Sequence, residues 1–111
     1  MPVEAVEKDG KIDVRFNEKL TVYETASLAK QLKDLELPGS SVCLDLGGVT
    51  ECDTAGIQLV CSVIKTVLRG GGDLTFKEVS PSVEDTARKI GLSPVDVLCM
   101  LKAEQAGRDS D

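Results

Sequence analysis

The sequence predicts an α/β fold, an open mixed β-sheet with helices packed against it, on three observations. Two short alternating apolar segments joined by Asp9-Gly10 indicate an N-terminal β-hairpin. Helical and strand-like segments then alternate from Thr21 onward, which is typical of βαβ units with parallel strands and right-handed crossovers. The length of 111 residues suits one domain with its own core. We expect this domain over residues 1–102, followed by a polar C-terminal tail over residues 103–111.

The first helix and the strand after it are predicted from local patterns. Thr21 and Glu24 match a capping box, apolar residues follow at helical spacing, and Pro38-Gly39 ends the helix. Apolar and other side chains alternate over Val42–Leu46, which predicts a strand. The next segment, Gly47–Cys52, contains two glycines and polar residues, and we expect it to be a loop.

The second half of the chain predicts a buried helix, a strand and two further helices. Apolar residues cover more than half of the helical surface of Ile57–Leu68, so this helix should be largely buried until Gly70–Gly72 ends it. A strand follows. Ser80-Pro81 then begins a helix that Gly91 ends. We expect Val95–Leu101 to form a short final helix.

The composition excludes several classes of function. The chain has 13 basic and 19 acidic residues and a net charge of −6, which disfavours nucleic acid or an anionic membrane as the main partner. It contains no histidine, which excludes imidazole bases, Ser-His or Cys-His pairs and histidine-ligated metals. No charged-then-apolar leader precedes the first strand, and no apolar segment is long enough to span a bilayer. We therefore expect a cytoplasmic protein without membrane insertion.

The four cysteines are interpreted as reduced thiols, because they contain no CxxC pair and no secretory leader is evident. Cys43, Cys52 and Cys61 recur nine residues apart, a spacing that matches no common metal site, so we expect no metal and no cofactor. Cys43 and Cys61 are interpreted as small core residues. Cys52 is a candidate exposed thiol, although no nearby cation is evident to lower its pKa.

The most informative segment for function is Asp53-Thr54-Ala55-Gly56. It follows a strand and begins a helix, which is where open α/β sheets place functional loops. The free N–H groups and the dipole of a first helical turn favour an anion, so a hydroxyl there is placed to carry a phosphate. Gly56 allows close approach of a neighbouring backbone or a partner. Asp and Thr are also common N-caps, and the spacing alone leaves both interpretations open.

Three separated motifs in this order resemble the STAS domain, the module named for sulfate transporters and anti-sigma-factor antagonists. They are Leu44–Leu59, which contains the Asp-Thr-Ala-Gly sequence, Arg69–Gly72 before a strand, and Val79–Leu92 around a helix. The resemblance covers residues 3 to 92. In addition, Leu20–Tyr23 resembles a subset of the family associated with chemotaxis gene clusters.

The resemblance implies a non-enzymatic signalling switch in a single STAS domain. In the family, the hydroxyl residue directly after the aspartate is the phosphoacceptor, which corresponds to Thr54. A serine/threonine kinase, often the anti-sigma factor itself, phosphorylates it, and a phosphatase reverses the change. The partner-binding residues expected from the resemblance are Glu51, Asp53, Thr54, Ala55 and Gly56. A phosphate adds about −1.5 to −2 charges there and would repel an acidic or tightly packed partner surface.

Two features depart from the family pattern. The acceptor is threonine rather than the commoner serine, and the C-terminus is short, so we expect a reduced final helix.

The sequence leaves two alternatives to the switch. Some small STAS proteins with the same motif are regulatory subunits of ABC-type ATPases in lipid transport, and there Thr54 would be a packing residue. The other alternative is an enzyme using Asp53 and Cys52, which is disfavoured because no general base or pocket is evident. The carboxylates Asp45, Glu51 and Asp53 are interpreted as one strand residue and two solvated loop charges rather than as a Mg²⁺ or acid–base site.

Overall fold

The computed structural model describes residues 3–35, 37 and 39–109, with side chains described as far as residue 104. These residues form four strands and four helices. The strands are β1 (Val3–Lys8), β2 (Lys11–Leu20), β3 (Ser41–Cys52) and β4 (Asp73–Val79). The helices are α1 (Val22–Lys33), α2 (Thr54–Arg69), α3 (Pro81–Ile90) and α4 (Pro94–Asp109).

The strands form one open mixed sheet in the order β1-β2-β3-β4. β1 pairs antiparallel with β2, whereas β2, β3 and β4 are parallel to one another. The predicted hairpin and α/β fold are thereby confirmed. Each crossover steps to the next strand in the same direction, so crossovers of the usual right hand place α1 and α2 on the same face of the sheet. Every second residue along β2 and β3 is buried beneath the helices: Ile12, Val14, Phe16, Val42, Leu44 and Leu46.

Helix α2 is the centre of the core. Eight of its sixteen residues are buried, and it contacts α1, α3 and α4 as well as β2, β3 and β4. The prediction of a largely buried helix is confirmed. Cys61 lies in this core, as expected. Cys43 does not, because odd-numbered positions at the start of β3 point away from the helices, and its side chain is half-buried on the open face of the sheet.

The predicted loop over Gly47–Cys52 is wrong, because β3 continues through this segment. Its partner β2 also runs on to Leu20, and the two strands stay paired in parallel despite two register shifts. Parallel pairing with β2 supplies backbone hydrogen bonds that a local pattern of glycine and polar residues does not reveal. The last pair in this register is Leu20 with Cys52, so β2 and β3 end side by side.

The final helix is longer than predicted. α4 covers Pro94–Asp109 rather than Val95–Leu101, and it is not reduced. The side chains of Val97 and Leu98, in the first turns of α4, are buried in the core. Further along the helix, the Lys102 ammonium lies 3.2 Å from the Asp73 carboxylate at the start of β4. The helix therefore extends into the segment assigned to a polar tail, while the domain boundary at residue 102 stays a prediction.

Gly56 sets the distance between α2 and the end of β2. A Cβ atom at this position would lie 2.1 Å from the carbonyl oxygen of Leu20, far inside van der Waals contact. The obstructing atom belongs to the backbone, so a side chain here can be accommodated only by moving α2 or β2.

Gly56→Ala should therefore lower the free energy of unfolding by about 1–3 kcal/mol through overpacking. The sign is informative, because alanine in a helix interior is ordinarily more stable than glycine by about 0.5–1 kcal/mol. Urea denaturation followed by circular dichroism measures the change. Ser62→Ala on the exposed side of the same helix is the control and should stay within about 0.5 kcal/mol of wild type. A Gly56→Ala protein as stable as wild type would contradict this close approach.

Candidate functional site

The starts of α1 and α2 lie next to each other at the carboxyl ends of β2 and β3. β2 ends at Leu20 and β3 at Cys52, which are paired in the sheet. The Asp53 N–H extends this contact by donating to the Leu20 carbonyl at 3.3 Å. Both helices begin within two residues of these strand ends, so their unpaired first-turn N–H groups meet in one place.

The Asp53 carboxylate binds both helix starts. Its Oδ1 accepts a hydrogen bond from the Gly56 N–H of α2 at 3.1 Å, and its Oδ2 accepts one from the Val22 N–H of α1 at 2.8 Å. The possibility that Asp53 is the N-cap, left open by the sequence, is therefore confirmed. A negative charge at two helix N-termini is also favourable for both helix dipoles. Asp53 joins the two helices as well as capping one.

Thr54 is the first residue of α2, and its side chain is exposed. Within residues 3–35, 37 and 39–109, its hydroxyl forms no hydrogen bond. The neighbouring Asp53 already provides the cap that a threonine hydroxyl at a helix start often supplies. The Thr54 hydroxyl is thus available to solvent at the positive end of a sixteen-residue helix.

The other residues of the predicted site have different surroundings. Glu51 is exposed, but it is not a loop charge, because it lies at the end of β3 and is the strand partner of Lys19 in β2. Ala55 is half-buried, and Gly56 is buried against Leu20. Of the predicted partner-binding residues, Glu51 and Thr54 are therefore the two that offer exposed side chains.

The start of α1 contributes two exposed apolar side chains that the sequence motifs did not assign to the site. Val22 is 57% exposed and Tyr23 is 90% exposed. The predicted capping role of Glu24 is present, because its carboxylate accepts hydrogen bonds from the N–H and the hydroxyl of Thr21. The sequence did contain a signal for their exposure. Val22 and Tyr23 are apolar residues that come before Leu28 and Leu32, the two residues through which α1 is buried.

Two hydroxyl groups of α3 form hydrogen bonds with backbone carbonyls in the last part of β3. Ser82 donates to the Val49 carbonyl at 2.7 Å. Thr86 donates to the Cys52 carbonyl at 2.9 Å, and the same hydroxyl lies 2.9 Å from the Ser82 carbonyl. These contacts join residues more than 30 positions apart, so they fix the end of β3 without a local sequence signal.

Cys52 is half-buried rather than exposed, and its environment disfavours thiolate chemistry. Burial and, to a smaller extent, the Asp53 charge together raise the pKa of its thiol to about 11, although a hydrogen bond from Thr86 acts in the opposite direction. A nucleophilic cysteine needs the opposite shift. Asp45 lies in a strand, as predicted, and accepts a hydrogen bond from the Gly47 N–H at 2.9 Å. In the described part of the chain, no three Cys, Asp or Glu side chains are grouped to hold a metal ion.

The STAS domain family model matches residues 2–104 of the chain. This chain belongs to the STAS domain family. STAS domains are generally regulatory rather than catalytic. Across its described residues, this STAS domain has no helix with both the length and the apolar character needed to cross a membrane. No curated protein matches it in sequence.

Solved structures share the fold. A Thermotoga maritima protein assigned to the anti-sigma factor antagonists superimposes with a TM-score of 0.67 at 16% identity, covering 80% of this chain and 78% of that one. The murine Slc26a9 anion transporter in its inward-facing state gives 0.59 at 19% identity, covering 75% of this chain and 14% of the transporter. The protein Mglu gives 0.63 at 15% identity, covering 72% of this chain, which spans only 20% of the length of Mglu.

The raised pKa of Cys52 predicts slow alkylation. With iodoacetamide at pH 8, the folded STAS domain should react at the exposed Cys99 well before Cys52, and the Cys52 rate should rise as pH increases toward about 11. Mass spectrometry of peptides after timed labelling measures both rates. In 6 M urea the two cysteines should react alike, which controls for intrinsic reactivity. Rapid labelling of Cys52 in the folded protein at pH 7 would contradict the assigned environment.

Proposed function

We propose that this STAS protein is a cytoplasmic signalling switch of the anti-sigma-factor-antagonist kind, in which phosphorylation of Thr54 controls the binding of a protein partner. The observation that carries the proposal is the exposed Thr54 hydroxyl at the start of α2, free of hydrogen bonds within the described chain. The shared fold with the Thermotoga maritima protein supports the class of function. The partner is an anti-sigma factor or serine/threonine kinase, and a phosphatase restores the unmodified state.

The modification is chemically simple at this position. The Thr54 Oγ1 attacks the γ-phosphorus of ATP in the kinase active site, ADP leaves, and the hydroxyl proton passes to a base of the kinase. The STAS protein has to present the hydroxyl, and no internal hydrogen bond of the described chain must break first. Its exposure at the first residue of a helix meets that requirement.

The added phosphate would change the surface more than the fold. It brings about −1.5 to −2 charges beside Asp53 and near the exposed Glu51. At the same time, a phosphate at a helix N-terminus interacts favourably with the helix dipole. α2 can therefore remain folded while an acidic or closely packed partner surface is repelled. Binding to unmodified protein and release after phosphorylation follow from this difference.

The pathway in which the switch acts is a finer part of the proposal, and it has one alternative. The resemblance of Leu20–Tyr23 to chemotaxis-associated members supports a chemotaxis-linked pathway. The alternative is a regulatory subunit of an ABC-type lipid transport ATPase, in which Thr54 only packs. The murine anion transporter shares this fold, so the binding test below includes an outcome that would favour a role in transport.

The switch predicts phosphorylation at one residue and a charge-dependent loss of binding. Incubation with purified anti-sigma-factor-type kinases of the source organism and ATP should place phosphate on Thr54, as mapped by mass spectrometry, and none on Thr54→Ala. Thr54→Glu should weaken kinase binding about tenfold or more by calorimetry, because it places a permanent charge at the interface.

The control is Thr66→Glu, which adds the same charge at an exposed position near the other end of α2 and should bind like wild type. Phosphate found only at other residues would contradict the switch. Equal co-purification of an ABC-type ATPase with wild type and Thr54→Glu would favour the transport alternative.

A further inference from the structure

The most exposed large apolar side chain of the described residues lies at the start of α1, which shares the Asp53 carboxylate with the start of α2. Tyr23 is 90% exposed, and its neighbour Val22 is 57% exposed. Helix α1 packs on the core through Leu28 and Leu32, so the side chains of Val22 and Tyr23 are not part of its buried face. Tyrosine is enriched among the residues that dominate protein–protein binding, because it offers a large rigid surface with a polar tip.

The Val22–Tyr23 patch is joined rigidly to the start of α2. The Val22 N–H donates to the Asp53 carboxylate at 2.8 Å, and the same carboxylate caps the helix that begins with Thr54. The other side of the patch is fixed by Glu24, which bonds the Thr21 N–H at 3.2 Å. The exposed aromatic side chain and the exposed hydroxyl are thus carried on two helix starts that share one acceptor. Such preorganisation lowers the entropy lost when a partner docks.

The charges around this surface are mainly acidic. Carboxylates of Asp53, Glu24 and Glu51 lie at the ends of the elements that meet there, and Lys19 is opposite Glu51 in the sheet. The whole chain carries a net charge of −6. An apolar patch beside carboxylates is complementary to an apolar pocket with lysine or arginine at its rim.

We infer that the partner docks on both helix starts, with Tyr23 and Val22 entering an apolar pocket rimmed by basic side chains while the same partner contacts Thr54. The identity of the partner as an anti-sigma-factor-type kinase rests on the proposed function, but the surface is assigned from exposure and geometry. Tyr23 anchors the contact of the unmodified protein. Thr54 faces a closely packed part of the same contact, away from the basic rim, so its phosphate would find neither room nor a compensating cation there and binding is weakened.

Tyr23→Ala should weaken binding of the purified anti-sigma-factor-type kinase about tenfold or more, as measured by calorimetry, without changing urea denaturation. Tyr23→Phe should retain most of the affinity, because the ring rather than the hydroxyl fills the pocket. Val6→Ser, which alters a 63% exposed apolar residue on β1, is the matched control and should bind like wild type. Raising salt should lower the wild-type affinity, since the rim charges are screened.

The outcomes separate this inference from the proposed switch. Unchanged binding of Tyr23→Ala, with weakened binding of Thr54→Glu, would overturn the Tyr23 contact and leave the switch standing. Weakened binding of Tyr23→Ala, with unchanged binding of Thr54→Glu, would support the surface and overturn the switch. Failure of the wild-type protein to bind any of these kinases would overturn both.

Discussion

One carboxylate connects the fold of this STAS domain to its proposed function. Asp53 accepts hydrogen bonds from the first turns of α1 and α2, so two helix N-termini are satisfied by a single side chain. Unpaired N–H groups at such a position would cost free energy, and a negative charge there favours both helix dipoles. Because Asp53 performs the capping, the next residue, Thr54, is left exposed. The structural role and the proposed signalling role are thereby divided between adjacent residues.

The rest of the fold brings these helix starts together. The parallel pairing of β2 and β3 ends at Leu20 and Cys52, and Gly56 lets α2 lie against the Leu20 carbonyl. The Thr86 hydroxyl of α3 donates a hydrogen bond to the Cys52 carbonyl. Cys52 is half-buried between these contacts, and its raised pKa fits a structural thiol better than a reactive one. This arrangement disfavours thiolate chemistry at Cys52 and is compatible with the proposed protein-binding surface.

Local chemistry predicted much of this structure, and long-range pairing explains what it missed. The Thr21–Glu24 cap and the buried face of α2 were evident from short-range patterns. The extension of β3 over Gly47–Cys52 was not, because its glycines and polar residues resemble a loop until β2 supplies the pairing. The bond from Val22 to Asp53 spans 31 residues, so no motif could show that the two helices share a cap.

The shared cap is tested most directly by comparing the amide proton chemical shifts of wild type and Asp53→Ala by nuclear magnetic resonance. If one carboxylate accepts from both helices, the amide protons of Val22 and Gly56 should both move upfield when that acceptor is removed. Glu51→Ala, which removes a nearby exposed carboxylate, should leave the Val22 amide proton unchanged. A Val22 amide proton that does not respond to Asp53→Ala would contradict the account.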